Sequence, residues 1–254
     1  MSKSQNRGPK RKTSKPDSDE EYTVKSSQSS QSVIGIKEDE LQHLVNDTVY
    51  YLLIADQKKQ VIKKADIVKH VLKEQSRNFN TVITKAQDKL KQVYGIRLVE
   101  LEGRKGHYIL INYLKDCAVQ RTNSDSENAK DGLLLIILTL IFMNGNVISE
   151  VHLWQTLKRF GLNPEPSSNK LHPIFGDVKK LVTAEFVRQL YLEYSRIQGS
   201  DPARYEFRWG PRASLEVSKR DILELVCKIF NNDMKVEQWT SQYQDMLHSE
   251  EMQK

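Results

Sequence analysis

With 38% apolar and 28% charged residues, a chain of 254 is too polar for one compact globule and fits folded domains plus a polar tail, at about 100–200 residues per domain. The net charge of +6 is unevenly placed, at +3 over residues 1–36, +5 over 37–115 and −2 over 116–254, so the positive potential that attracts a polyanion lies in the first half. Two cysteines, Cys117 and Cys227, match no metal-ligand spacing and exclude a disulfide framework, and the polar N-terminus carries no secretory signal.

Residues 1–36 are Ser, Gln, Lys and Pro with almost no apolar content and are expected to be disordered. Within them Pro9-Lys10-Arg11-Lys12 reads equally as a nuclear localisation patch or a solvated charge run. From Lys37, Leu41, Leu44, Val45, Thr48, Val49, Leu52 and Leu53 recur at helical spacing as far as Asp56. Val61-Ile62 then reads as a short strand, 65–74 as a helix, and a third helix from Asn80 turns Val82, Ile83, Ala86, Leu90 and Val93 inward before Gly95 closes it. Ile96–Leu101 and His107–Leu114 are β-rich runs joined by Glu102-Gly103-Arg104-Lys105-Gly106. Helix, short strand, two helices and a hairpin is the order of a winged helix, here over 37–115.

Residues 116–130 are polar and read as a linker. The same order then recurs from Asp131. Leu133–Met143 is apolar but for Thr139, too short for a bilayer, which needs about 20 such residues, and apolar all round, so it must be covered by protein. Val147-Ile148 is a short β-branched pair, Ser149-Glu150 starts a second helix whose Val151, Trp154, Leu157 and Phe160 share a face, and Gly161 ends it. Pro173–Ala184 reads as the third helix, with Phe186–Ile197 and Tyr205–Trp209 as strands around the turn Gln198–Pro202. Ser218–Asp221 is a helix start for Ile222, Leu223, Val226, Ile229 and Phe230, and a last amphipathic stretch places Trp239, Tyr243 and Leu247 four apart. The expected fold is therefore mainly α with small β hairpins (α+β): two tandem winged helices, 37–115 and 131–247, the second extended by C-terminal helices, with a disordered N-terminal tail and a short tail over 248–254.

Catalytic chemistry has little support. Neither GxxxxGK(S/T) nor GxGxxG occurs, HExxH is absent, and the six histidines include no pair at i, i+4. Cys227 sits in a helical apolar pattern and reads as a small buried hydrophobe. No catalytic residue, metal or cofactor is expected. Gly103-Arg104-Lys105-Gly106 spells the GxxG of another nucleic-acid fold, but that loop joins two helices, so here it reads as a wing tip. Lys85, Lys89 and Lys91 on the third helix, with Arg97, Arg104, Lys105 and His107 on or near the wing, form one candidate phosphate-binding set; Lys179, Lys180, Arg188 and Arg196, with Arg204, Arg208 and Arg212 nearby, form another. A solvated polar face is the ordinary alternative for both. Neither set carries the Asn, Gln and Arg cluster that reads base edges, so any duplex DNA binding is expected to be sequence-independent and salt-dependent.

The strings GLLLIILTLIFMNGNVISEVHLWQTLKRFGL (Gly132–Leu162), FVRQLYLEY (Phe186–Tyr194) and DPARYEFRWGPRA (Asp201–Ala213) resemble the melanoma-antigen (MAGE) homology domain, over roughly residues 38–247. The extension VEQWTSQYQDML (Val236–Leu247), and Arg208 where tumour-antigen members usually carry Leu, resemble the ancestral branch that serves an SMC-type complex in DNA repair. The resemblance implies a tandem winged helix acting by binding in the nucleus, on chromatin, with no small-molecule substrate and no membrane. It implies contact of a RING-type ubiquitin ligase partner with the dileucine Leu52-Leu53, and of a kleisin subunit with an apolar groove for which Leu134, Ile137, Leu138, Leu153, Trp154 and Leu157 are candidates. Domain core is the competing reading for each of these. DNA contact is implied too, without choosing between the two basic sets. The alternatives are a winged-helix transcription regulator and a ligase adaptor outside any SMC complex.

Overall fold

The computed structural model describes residues 37–112, 124–164, 171–231 and 234–252. Expectations for the N-terminal tail, Cys117 and most of the linker lie outside these residues. From Lys37 onward the chain forms one compact unit.

Its first half runs α1 (Glu38–Asp56), β1 (Ile62–Lys63), α2 (Lys64–Ile67, continued by a wider turn over Val68–Leu72 and a tight one over Lys73–Asn78), α3 (Phe79–Lys89, continued over Leu90–Tyr94), β2 (Ile96–Glu100) and β3 (His107–Asn112). Gly95, at φ 61°, ends α3 in the left-handed conformation that suits glycine. The strands pair antiparallel in the order β1-β3-β2. The second half repeats the plan: α4 (Asp125–Met143), β4 (Ile148–Ser149), α5 (Glu150–Arg159), α6 (Val178–Lys180) running on through Leu181–Glu185 into α7 (Phe186–Arg188), then β5 (Leu192–Arg196) and β6 (Tyr205–Trp209), in sheet order β4-β6-β5. Identical sheet order in both halves establishes the tandem winged helix. α8 (Pro211–Glu216), α9 (Lys219–Ile229) and α10 (Thr240–Met252) follow.

Four features of the second half differ from the sequence reading. Residues 125–130 are helix rather than linker, because Ser124 and Glu127 close a capping box that starts α4 two turns early. The third helix of the second half starts at Val178, where the Asp177 carboxylate accepts from the Lys180 N–H, and runs on through Phe186, so the strand begins only at Leu192. On α5 the buried stripe is Leu153, Trp154 and Leu157, while Val151 and Phe160 are exposed. Finally, α10 continues to Met252, so most of the expected C-terminal tail is helical.

Each winged helix has its own core. Val45, Val49 and Leu52 of α1 meet Val82, Ala86 and Leu90 of α3 in the first. The second is built on α4, whose Leu133, Leu134, Ile137, Leu138, Ile141 and Phe142 are all buried. A third, smaller cluster joins the halves: Leu101, Ile109 and Ile111 from the first hairpin, with Leu190 and Leu215 from the second half packed against them. Strand β3 thus buries both faces, Leu110 toward its own domain and Ile109 and Ile111 toward the other.

Candidate interaction surfaces

Helix α1 is apolar on two sides. One stripe is core, and Leu52 belongs to it with no exposed surface. Leu53 is half-buried and lines the cleft between the winged helices, while Tyr50 and Ile54, one turn apart, are 69% and 46% exposed. The dileucine therefore splits: Leu52 holds the fold, and only Leu53 reaches the surface, where Tyr50 and Ile54 supply most of the apolar area. Val93 and Tyr94 at the end of α3 are exposed as well. The sequence signal for Tyr50 and Ile54 was their placement opposite the Val45, Val49 and Leu52 stripe.

The six groove candidates of the second winged helix are core. Leu134, Ile137, Leu138, Leu153, Trp154 and Leu157 are all at most 7% exposed and belong to one cluster with Phe186, Leu192, Phe207, Ile222 and Leu223. α4 is covered by its own domain, so these side chains line no open groove. Polar anchors fix the arrangement. The Trp154 indole donates to Glu150 Oε1 at 3.2 Å, the Tyr194 hydroxyl to Glu150 Oε2 at 2.9 Å, and the Trp209 indole to the Leu138 carbonyl at 2.9 Å. Burial, followed by the Glu150 hydrogen bond, pushes the Tyr194 hydroxyl far above its usual range. The exposed apolar residues of this half lie elsewhere: Leu135 and Ile136 on α4, Val151 and Phe160 around α5, Leu171 and Ile174 before α6, and Leu225, Ile229 and Phe230 on and after α9. Cys227 is buried beside that last stripe, as the sequence indicated.

The basic candidates divide by what holds them. Lys85 reaches across to α1 and pairs with Glu38 at 2.8 Å, and Lys89 donates to Asn46 at 2.5 Å, so this helical pair leans on its own domain. Lys91 is exposed. Arg104 and Lys105 stand exposed at the wing tip, whose turn is pinned by the Gly106 N–H donating to Glu100 at 2.5 Å. In the second half Lys179, Lys180 and Arg188 are exposed, and Arg188 lines the interdomain cleft. Arg208 is occupied by Glu206 of its own strand. Arg212 is not a surface residue at all: it has no exposed area and is shut between the two winged helices.

An open cleft of about 910 Å³ separates the halves, with Leu53, Tyr94 and Asn112 on one wall and Lys130, Arg188 and Tyr191 on the other. Asp56, which also lines the cleft, pairs with Lys59 through Oδ2 at 2.6 Å, yet Oδ1 has no hydrogen bond and lies 3.8 Å from Arg212. Burial outweighs the attraction of Lys59 and Arg212 and raises this carboxyl above the usual carboxylate range. Among the described residues no cluster of His, Cys, Asp or Glu is suited to a metal, and no helix is long and apolar enough to cross a membrane.

The family model described as MAGE homology domain matches residues 48–220. The human protein named non-structural maintenance of chromosomes element 3 homolog is 46% identical over 213 residues, covering 84% of this chain and 68% of that protein. The mouse protein of the same name is 45% identical over 84% of this chain and 74% of its own length. Human melanoma-associated antigen D2 is 41% identical over 83% of this chain but only 34% of itself. A solved structure described as the Nse1-Nse3-Nse4 complex aligns with a TM-score of 0.76 and 43% identity, over 84% of this chain and 100% of the matched chain.

Proposed function

The chain belongs to the MAGE homology domain family, and from that premise we propose that it is a non-catalytic scaffold subunit of an SMC-type chromosome-maintenance complex. The observation that carries this reading is the similarity, over 84% of the chain, both to the element 3 homologs and to a chain solved inside a three-component complex. The likeness to antigen D2 supports a ligase adaptor outside the SMC complex less well, since it covers a third of that protein and is weaker.

In this role one winged helix holds a RING-type ubiquitin ligase subunit and the other a kleisin subunit. The exposed Tyr50 and Ile54 of α1, with the half-buried Leu53 at their edge, are the RING contact, replacing the fully buried Leu52 as an anchor. Tyrosine is enriched among the residues that carry most of the energy of such interfaces, and an apolar helix face is a common docking element. The kleisin site falls on the exposed apolar residues of the second half rather than on the six core positions, and the Leu225 and Ile229 stripe of α9, one turn apart with Phe230 following, offers a helix-sized anchor. DNA contact is electrostatic and sequence-independent, carried by Arg104 and Lys105 of the wing and by Lys179, Lys180 and Arg188. Such a subunit works in the nucleus, on chromatin, in DNA repair.

Co-expression with each candidate partner in turn tests the assignment. Tyr50→Asp/Ile54→Asp is expected to lose the RING subunit and keep the kleisin, and Leu225→Asp/Ile229→Asp to do the reverse, with both variants folded. Retention of both partners by both folded variants overturns the surface assignment; failure of the wild-type chain to hold either partner overturns the function.

A further inference from the structure

Arg212 is the one charged residue among those described that is completely buried, and its surroundings do not resemble an ordinary core. It stands in α8, a short helix that directly follows the second hairpin and begins with Pro211 at its first turn. Its guanidinium makes four hydrogen bonds from five N–H groups. Nε donates to the Gln189 carbonyl at 2.9 Å and Nη1 to Glu216 Oε1 at 3.2 Å, both within the second winged helix. Nη1 also donates to the Leu110 carbonyl at 3.0 Å, and Nη2 to the Lys59 carbonyl at 3.3 Å, both in the first. Asp56 adds a carboxylate oxygen from the end of α1 at 3.8 Å. Glu216 is itself held by the Tyr191 hydroxyl at 2.6 Å, and the Tyr191 ring lies 5.7 Å from the guanidinium.

The carbonyls of Lys59 and Leu110 belong to the β1 approach and to β3, so one planar side chain grips two separate segments of the first winged helix. Backbone carbonyls can be satisfied by this fork in only a narrow range of positions, because the guanidinium is rigid and its donors are fixed in one plane. The contact is also reinforced by packing, since Leu215 of the same helix presses on Leu101, Ile109 and Ile111. Moreover Asp56, Lys59, Leu110, Gln189 and Tyr191, all within reach of Arg212, line the interdomain cleft.

We propose that Arg212 is an interdomain bolt: it sets the relative orientation of the two winged helices, and with it the width of the cleft and the spacing of the two partner surfaces. Rotation of one domain against the other strips the buried cation of two carbonyls at once, and a buried charge without partners is strongly disfavoured. The chain therefore presents its two faces as one rigid body. Gly210 belongs to the same device. An added Cβ there would overlap the Leu190 carbonyl oxygen, which already accepts from the Arg212 N–H at 3.0 Å, so α8 can be placed only with glycine before it.

The test is a distance distribution between spin labels at exposed positions of the two domains, Glu102→Cys on the first wing and Glu193→Cys on β5, in a background with Cys117→Ser and Cys227→Ala. The parent should give one narrow peak. Arg212→Met, which keeps volume without donors, and Arg212→Lys, which keeps the charge but not the fork, are expected to broaden that peak at least twofold while methyl spectra of the individual domain cores stay in place. If both variants melt at lower temperature yet keep the narrow peak, Arg212 is only a brace for α8 and the proposal fails. If both lose the core spectra of the separate winged helices, Arg212 is a folding residue rather than a bolt, and the proposal fails equally.

Discussion

Leu52→Ala and Ile54→Ala are chemically similar changes two residues apart on α1, and the structure predicts opposite consequences. Leu52 has no exposed surface and packs in the first core, so truncation removes buried methyl groups and leaves a cavity between α1 and α3. Such changes cost about 2–5 kcal/mol, a large share of the roughly 5–15 kcal/mol that separates folded from unfolded states. At about 2–4 °C per kcal/mol for a unit of this size, the melting temperature should fall by roughly 4–20 °C. Ile54 is 46% exposed, so Ile54→Ala forfeits little packing and should leave stability within about 0.5–1 kcal/mol. Binding should separate the two in the other direction. Measured by titration calorimetry well below either melting transition, Ile54→Ala should weaken the RING subunit by about tenfold, a loss of about 1.4 kcal/mol. Leu52→Ala should bind within a few-fold of wild type. A Leu52→Ala protein with unchanged stability and abolished binding would refute the reasoning, because it would make Leu52 a contact residue and the α1 packing wrong.

Further expectations rest on other parts of the molecule. Gly210→Ala should lower stability by about 1–3 kcal/mol in denaturant titration, the usual cost of forcing atoms into filled space, since its methyl would overlap the Leu190 carbonyl; an unchanged midpoint would show that α8 can shift freely. The Asp56 carboxyl is held above its ordinary value of 3.8, mainly by burial, so the folded state binds its proton more tightly than the unfolded chain does. Its contribution is accordingly present at low pH and is lost as pH rises through the window just above 3.8. Asp56→Asn should flatten the pH dependence of stability in that window, and an unaltered slope counts against it. Arg104→Glu/Lys105→Glu should weaken duplex binding alike on unrelated sequences and reduce the salt slope by about 0.9 per lost phosphate contact, whereas Lys85→Glu/Lys89→Glu should do less, since those lysines are held by Glu38 and Asn46. A larger effect from the second pair would move the DNA contact to α3.

Periodicity and turn chemistry made the architecture legible. The α1 stripe, the Gly95 stop and the hairpin around Gly103 and Gly106 each follow from local rules, and the repeat of that order named the second winged helix. Where local rules were outvoted, reading failed. Ser124–Glu127 is a capping box in plain sight, but the polar residues after it looked like linker because their helix is tied down only by the apolar run that follows. Phe186 and Val187 fit a strand or a buried helix equally well, and packing chose the helix. The apolar run of α4 correctly demanded cover, yet nothing local distinguished a domain's own core from a partner's groove, which is why six core residues looked available. Arg212 was misread for the opposite reason. Arginine is rarely fully buried, and the carbonyls that make its burial tolerable come from residues up to 153 positions away in the chain.

As proposed, one rigid chain holds a RING-type ubiquitin ligase subunit and a kleisin subunit at once. Mixing the purified protein with its RING and kleisin subunits and measuring the mass of the eluting species by size-exclusion light scattering tests it directly. One species of 1:1:1 composition is expected, reduced to a binary complex with the kleisin by Tyr50→Asp/Ile54→Asp and to a binary complex with the RING subunit by Leu225→Asp/Ile229→Asp. Mutually exclusive binding, in which adding one partner releases the other, would contradict it.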